Sequence, residues 1–175
     1  MIKMEVGRYM GRRTVSIGNQ GFDDIRKENS FYVDKTNLIK EWWGSRDIIT
    51  LITRPRRFGK TLNMSMLRCF FSNYYANRSD LFQGLSIWTE EKYRALQGTY
   101  PLIFMSFADV KEMNGEDAIK SIKSNIVAVY NENRFLIDEN FLNTTEQKQF
   151  EAVQMDMSDV IASKALRFLC DYLSR

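Results

Sequence analysis

The loop at residues 53–61, here called the basic loop, carries residue types that proteins use to bind phosphate. Its last residues, Gly59-Lys60-Thr61, match the end of the phosphate-loop pattern G-x-x-x-x-G-K-[ST], which lies between a strand and a helix. In that pattern the main-chain amides converge on an anion, and the start of the helix adds a partial positive charge. Arg54 replaces the first glycine of the general pattern. The basic loop therefore predicts a site for a triphosphate.

Each residue near the end of the basic loop has a distinct role in this prediction. Gly59 has no side chain, so the backbone can approach the β-phosphate closely. The ammonium of Lys60 would bind β- and γ-phosphate oxygens as a mobile point charge. The hydroxyl of Thr61 would be a ligand of Mg²⁺, which bridges the same two phosphates. Arg56 and Arg57 would add charge over the phosphates or face a neighbouring subunit.

The same loop allows a second function, in which it binds a nucleic acid. Arg54, Arg56, Arg57 and Lys60 would then hold backbone phosphates, and Phe58 would stack on a base. The chain has 25 basic and 22 acidic residues, and because its first thirteen residues hold four basic residues and one acidic residue, the remainder is neutral. A neutral body disfavours a polyanion-binding protein. A remnant that binds neither ligand, with a plain solvated turn at this place, is the third alternative.

Composition excludes several catalytic classes. The 175 residues include no histidine, which removes zinc-hydrolase, Ser-His-Asp and Cys-His chemistry. Cys69 and Cys170 lie in apolar surroundings and are predicted to be buried thiols of a reducing compartment. No apolar stretch approaches the roughly 18 residues of a membrane span. We therefore expect a cytoplasmic chain with no membrane partner.

The apolar pattern predicts alternating strands and helices. Residues 48–52 and 102–107 are continuous apolar runs, typical of strands buried on both faces of a parallel sheet. Helices are predicted from Asp34 to Gly44 and over 60–75, 89–98, 116–131, 143–153 and 158–175. This order is typical of an α/β fold, a P-loop NTPase-like parallel sheet with flanking helices. Two strands are too few for a doubly covered sheet, so we expect the fold to be incomplete, truncated before a further strand.

Local signals predict how three of these helices begin and pack. Asn143 and Glu146 have the spacing of a capping box, and Ser158 is expected to begin the last helix. The helix after Lys60 has almost no polar position and is therefore predicted to be buried nearly all round.

Several segments resemble the AAA-ATPase-like family of bacterial P-loop proteins, which are often fused to a nuclease-like domain of the PD-(D/E)XK type. The similar segments are 21–26, 31–36, 54–62, 81–85 and 100–107. The family pattern reads R-P-R-R-F-G-K-[ST], so the arginine at position 54 fits the family. The resemblance implies ATP and Mg²⁺ as cofactors. It implies nucleotide contacts at Pro55, Arg56, Arg57, Phe58, Gly59, Lys60, Thr61 and Leu62, with Thr61 as the metal ligand.

The resemblance also defines the expected domain organisation and partners. Residues 1–14 are predicted to be a flexible basic leader, and residues 15–175 the N-terminal part of the family's P-loop domain. The resemblance also implies possible self-association, for example into a ring, as in other AAA-type proteins. A nucleic-acid partner would come through the nuclease-like domain, which this sequence does not contain.

ATP hydrolysis also needs an acidic residue, for which the sequence offers no evident candidate. In the family, a strand ending in an acidic Walker B motif follows the helix that here reaches Arg175. Ser106 occupies the place where the strand at 102–107 would carry such an acid. Asp109, three residues on, is either the acid that holds Mg²⁺ or an ordinary turn residue. We therefore predict nucleotide binding, without an evident acid for ATP hydrolysis.

Two further groups are candidates for contact with the nucleoside. Asp34-Lys35-Thr36 would touch the adenine or ribose, or would form a helix cap with a solvated lysine. Trp42 and Trp43 would stack on a base, but their helical spacing with neighbouring apolar residues favours packing in the core.

Overall fold

The computed structural model describes residues 13–53, 55 and 58–175. It divides the chain into two compact units, one ending at Leu102 and one spanning Ile103–Arg175. The predicted basic leader lies outside the described residues except for its last two positions, and the boundary at residue 14 stays a prediction. Arg54, Arg56 and Arg57 also lie outside the described residues.

Helices form the regular structure of both units. The α-helices of the described residues are α1 (Phe22–Lys27), α2 (Asn37–Ser45), α3 (Lys60–Phe71), α4 (Glu91–Arg94), α5 (Gly115–Glu132), α6 (Phe135–Asp138), α7 (Thr144–Glu151) and α8 (Asp159–Leu173). Short 3₁₀ helices span Asn73–Tyr75, Ser79–Phe82 and Ser86–Thr89. None of these helices combines the length and the apolar character that a membrane span requires.

The predicted α/β fold with a parallel sheet is wrong for the described part of the chain. That part contains no strand, and its only β-bridge is an isolated parallel pair between Ser72 and Tyr100. The run at 48–52 is irregular, with Ile48 100% and Ile49 87% exposed. The run at 102–107 also forms no strand. Their residues favour extended backbone, but a strand needs a neighbouring strand for its hydrogen bonds, and neither run has one among the described residues.

The core of the first unit forms around α3. The ring of Phe22 in α1 lies 5.1 Å from the ring of Phe82 and 5.3 Å from that of Tyr32. Phe70 of α3 packs edge-on against Phe82 at 5.1 Å. The main-chain amide of Phe22 also donates a hydrogen bond of 3.0 Å to the hydroxyl of Ser65. Aromatic packing and this hydrogen bond together hold α1 against α3.

Helix α3 is shorter and less enclosed than the sequence predicts. It ends at Phe71, and its buried residues are Met66, Leu67, Cys69, Phe70 and Phe71. Met64 is 44% exposed, and Tyr74, predicted to continue the helix, lies exposed in the 3₁₀ turn that follows. The helix therefore has an open side as well as a buried side, and the prediction of all-round burial is wrong.

The second unit packs α5 against α8. Ile126, Val129 and Tyr130 of α5 are buried in one cluster with Ala165 and Leu169 of α8. The phenol of Tyr130 donates a buried hydrogen bond of 2.7 Å to the main-chain oxygen of Ala165. This contact satisfies a polar group inside an apolar interface.

The predicted helix starts in the second unit are confirmed. Asn143 accepts hydrogen bonds from the amides of Thr145 and Glu146, and the Glu146 carboxylate accepts one from the amide of Asn143. The hydroxyl of Ser158 accepts a hydrogen bond from the amide of Ile161 at the start of α8.

The two cysteines are both free thiols, but their surroundings differ. Cys69 is buried in α3, as predicted, and burial raises the pKa of its thiol to about 11. Cys170 is exposed, so the prediction of a second buried thiol is wrong. It lies on α8, a helix with one buried side, and its position falls outside that side.

Candidate functional site

Gly59 defines the end of the basic loop and the start of α3. Its backbone adopts the left-handed conformation, with φ 75° and ψ 21°, and it is the N-cap residue of the helix. Because side chains disfavour this conformation, the position calls for glycine. The carbonyl of Gly59 accepts a hydrogen bond of 2.9 Å from the amide of Asn63. The chain thus turns directly from the loop into the first turn of α3.

Lys60 is the first residue of α3 and its side chain turns back toward the loop. Its ammonium donates a hydrogen bond of 3.5 Å to the main-chain oxygen of Pro55. The amide of Phe58 donates to the same oxygen at 3.4 Å. The loop carbonyl of Pro55 therefore holds both the turn and the lysine ammonium near Gly59.

The remaining predicted contact residues differ in exposure. Thr61 is exposed on the first turn of α3, and Phe58, three residues earlier, is 62% exposed. Leu62 is partly buried and packs against the core of the first unit. Its side chain anchors the helix, whereas those of Thr61 and Phe58 are open to a ligand.

Lys35 reaches the same place from a distant part of the sequence. Its ammonium lies 3.6 Å from the position that a Cβ on Gly59 would occupy. The sequence pattern predicts that Lys35 contacts the nucleoside or solvent, not this loop. The proximity is non-local and depends on the packing of the first unit, so neither spacing nor motif could have indicated it.

Asp34 and Thr36 fix the turn that carries Lys35. One carboxylate oxygen of Asp34 accepts hydrogen bonds from the amide and the hydroxyl of Thr36, at 2.9 and 2.7 Å. The other accepts two from Ser86. Burial opposes the charge of Asp34, but these hydrogen bonds prevail and lower its pKa to about 2. Asp34 is thus engaged within the first unit rather than free for a ligand, and the N-cap of α2 is Thr36.

Tyr32 ties this turn to α3. Its phenol accepts a hydrogen bond of 3.4 Å from the amide of Lys35 and lies 3.2 Å from the sulfur of Met66. Burial raises the pKa of Tyr32 to about 12. Tyr32 therefore binds the amide of Lys35, while Asp34 fixes the next residue, Thr36.

An apolar cleft of about 340 Å³ lies next to Lys60. Its lining residues are Trp42, Asp47, Ile48, Thr50, Ile52, Lys60, Met64 and Leu67. The indole N–H of Trp42 donates a hydrogen bond of 3.1 Å to the hydroxyl of Thr50, which links α2 to the segment before the basic loop. The cleft places apolar surface and a lysine ammonium side by side.

Both tryptophans contact Phe71, but Trp42 is partly buried and Trp43 is 37% exposed. Trp42 lies edge-on to Phe71 at 5.2 Å, and Trp43 stacks on the same ring at 5.4 Å. Their helical spacing is thus explained by packing, and only Trp42 also lines the cleft beside Lys60.

The described residues offer no ready-made metal centre. They contain no cluster of three or more acidic, cysteine or histidine residues that could hold an ion. Asp109, the candidate acid for Mg²⁺, is exposed in the second unit, where the amide of Val110 donates to the oxygen of Phe107 across the turn.

Comparison with known proteins identifies one family. No curated protein and no solved structure matches the chain. The model of the AAA-ATPase-like family, described as predicted AAA-ATPase, matches residues 16–170. This match confirms the resemblance drawn from the sequence segments. The chain therefore belongs to the AAA-ATPase-like family.

Proposed function

We propose that the end of the basic loop binds the triphosphate of ATP together with Mg²⁺. The observation that carries the proposal is the geometry of Gly59 and Lys60. A left-handed glycine caps a twelve-residue helix, and a lysine ammonium folds back over the same loop. An anion at this point would meet the partial positive end of α3 and a flexible cation. Membership of a family of predicted ATPases favours a nucleotide as that anion.

The contact residues follow from the sequence pattern and from exposure. Lys60 would bind the β- and γ-phosphates, and Arg56 and Arg57 would add charge. The exposed hydroxyl of Thr61 is a hard oxygen ligand of the kind that Mg²⁺ accepts, and the ion would take its other ligands from phosphates and water. Bound there, Mg²⁺ would neutralise phosphate charge. This proposal does not require a sheet behind the loop.

The test is thermal unfolding of the full chain with and without Mg-ATP. Ligand at a hundredfold excess over its dissociation constant should stabilise the folded state by about 2.7 kcal/mol. Lys60→Met should remove most of this stabilisation, because it deletes the ammonium and keeps the aliphatic stem. Lys164→Met, which changes the net charge equally at an exposed position of α8, should leave it intact. An unchanged melting temperature of the wild-type chain with Mg-ATP would refute the proposal.

A second candidate function has one observation in its favour. Phe58, within the basic loop, is 62% exposed, as a ring that stacks on a nucleic-acid base would be. If single-stranded oligonucleotide raises the melting temperature and Mg-ATP does not, this second function replaces the first. The effect should then fade steeply with salt, because phosphate contacts release counterions.

A further inference from the structure

The side chain of Lys35 lies beside the basic loop, close to Gly59. We propose that Lys35 is a second phosphate-binding cation of the nucleotide site, which acts with Lys60 on the polyphosphate chain. This inference rests on the proposed function of the basic loop and adds a residue from outside the motif.

The first observation is where the ammonium of Lys35 stands. Among the described residues, and with the chain neighbours of Gly59 set aside, it is the only heavy atom within 4 Å of a Cβ built on Gly59. The space above this glycine thus contains a cation and is otherwise open in the described part of the protein. Phosphate oxygens approach such a glycine because it has no side chain. An anion there would contact the ammonium of Lys35 directly.

The second observation is that the ammonium of Lys35 forms no ion pair within the described part of the chain. Lys35 is exposed, and among the described residues its side chain has no carboxylate or carbonyl partner. By contrast, Lys40 in the following helix is paired with Glu90. An ammonium beside a phosphate-binding turn can therefore bind a ligand without first breaking an ion pair.

The third observation is that the turn around Lys35 is fixed, while its side chain has no polar partner among the residues that the structure describes. Asp34 and Thr36 fix the turn by accepting hydrogen bonds from the amides of Ser86 and Ile87, and Thr36 is fully buried. A held backbone reduces the conformational entropy lost when a side chain binds a ligand. The fixed turn thus holds a cation from 24 residues before Gly59 in the sequence where it can contact a phosphate directly.

The chemistry expected of two such lysines is selectivity for polyphosphate. One ammonium enters from the start of α3 and the other from the turn before α2, so together they would span neighbouring phosphate groups. Their combined attraction should favour a triphosphate over a monophosphate, since each added phosphate brings negative charge within reach. The ligand class is therefore an organic or inorganic triphosphate rather than a nucleoside.

The experiment is calorimetric titration of the full chain with inorganic tripolyphosphate, Mg-ATP and AMP. Lys35→Met keeps the stem of the side chain and removes its charge. We expect it to weaken tripolyphosphate and ATP binding by roughly 10- to 100-fold, the range for a hydrogen bond to a charged group. AMP binding should change less. Lys35→Arg should restore most of the affinity, and Lys164→Met should bind as the wild type does. Melting curves without ligand show whether Lys35→Met still folds. If it does not, the affinity of Lys35→Arg is compared with that of the wild type instead.

The outcomes separate this inference from the proposed function. If Lys60→Met abolishes tripolyphosphate binding while Lys35→Met binds as the wild type does, Lys35 is not a phosphate ligand and the proposed function stands. If Lys35→Met weakens ATP and AMP equally, its role is not selectivity for polyphosphate and the inference fails. If the wild-type chain binds neither tripolyphosphate nor Mg-ATP, both proposals fail.

Discussion

The carboxylate of Asp34 accepts two hydrogen bonds from Ser86, one from its amide and one from its hydroxyl, each 2.7 Å long. The two residues are 52 positions apart in the sequence. The second oxygen of Asp34 serves Thr36, whose own hydroxyl accepts a hydrogen bond from the amide of Ile87. This closed network joins the turn before α2 to the 3₁₀ helix at Ser86–Thr89. It also fixes the backbone from which Lys35 reaches the basic loop.

The Asp34 network predicts a loss of stability in acid. The pKa of Asp34 falls from its usual 3.8 to about 2 in the folded state, because the hydrogen bonds outweigh burial. Its stabilising contribution is therefore complete above about pH 4 and is lost as the pH falls toward 2. Asp34→Asn should lower the free energy of unfolding at pH 7 by about 1–3 kcal/mol, since hydrogen bonds to a charged acceptor are lost.

Urea unfolding between pH 2 and pH 7 measures this effect. The difference in stability between the wild type and Asp34→Asn should be largest at neutral pH and should narrow below pH 4. Asp156→Asn, at an exposed position in the second unit, is the matched control and should follow the wild type. A constant difference across the whole pH range would contradict the role of the Asp34 charge.

Gly59 and Gly84 provide a matched pair for testing the basic loop. Both have positive φ, 75° and 77°, and neither would place a Cβ in a clash. Each change to alanine should therefore cost about 1–2 kcal/mol of folding stability through backbone strain. Only Gly59→Ala should also weaken Mg-ATP binding, because its methyl group would occupy the space beside Lys35.

Isothermal titration with Mg-ATP on both variants decides this prediction. Equal affinities of Gly59→Ala and Gly84→Ala would mean that the phosphate does not approach residue 59. The melting temperatures of Gly59→Ala and Gly84→Ala should agree within a few degrees. Such agreement verifies that the two substitutions cause similar backbone strain.

Local signals predicted the helix starts at Asn143 and Ser158, but α2 and α4 begin at Asn37 and Glu91, two or three residues later than predicted. Asn143 and Ser158 act through side chains that reach only two or three residues along the chain, so their spacing alone determines the cap. Gly44 was expected to end α2, but the helix continues through Ser45 and Arg46 takes the left-handed position with φ 53°. A glycine favours a helix end but does not require one. Packing decides which residue adopts the left-handed conformation that ends the helix.

Non-local features account for what the sequence could not predict. The apolar run at 48–52 has the composition of a buried strand, yet a strand depends on partners elsewhere in the chain. The motif Gly59-Lys60-Thr61 can be recognised in the sequence because its residues are adjacent. The approach of Lys35 to Gly59 depends instead on hydrogen bonds between residues about 50 positions apart, and no spacing rule contains that information.

Gly98 should be far less tolerant of substitution than Gly84. Both have positive φ, but a Cβ on Gly98 would stand 2.3 Å from the Cα and 2.9 Å from the amide nitrogen of Ala76. Backbone atoms cannot move aside as the end of a side chain can. Gly98→Ala should therefore lose about 1–3 kcal/mol more stability than Gly84→Ala, in addition to the shared strain. Denaturant midpoints of the two variants, with unchanged slopes, measure the difference, and equal midpoints would be inconsistent with this close approach.

Tyr130 tests the packing of α5 against α8 in the second unit. Its buried phenol donates to the main-chain oxygen of Ala165 at 2.7 Å, and its ring lies 4.6 Å from the ring of Phe150. Tyr130→Phe keeps the ring and deletes the donor, so it should cost about 1 kcal/mol, the usual value of one net hydrogen bond. Tyr74→Phe, at an exposed position of the first unit, should cost almost nothing. Both variants can be compared by urea unfolding, and an equally small effect of the two changes would mean that the buried hydrogen bond does not stabilise the helix pair.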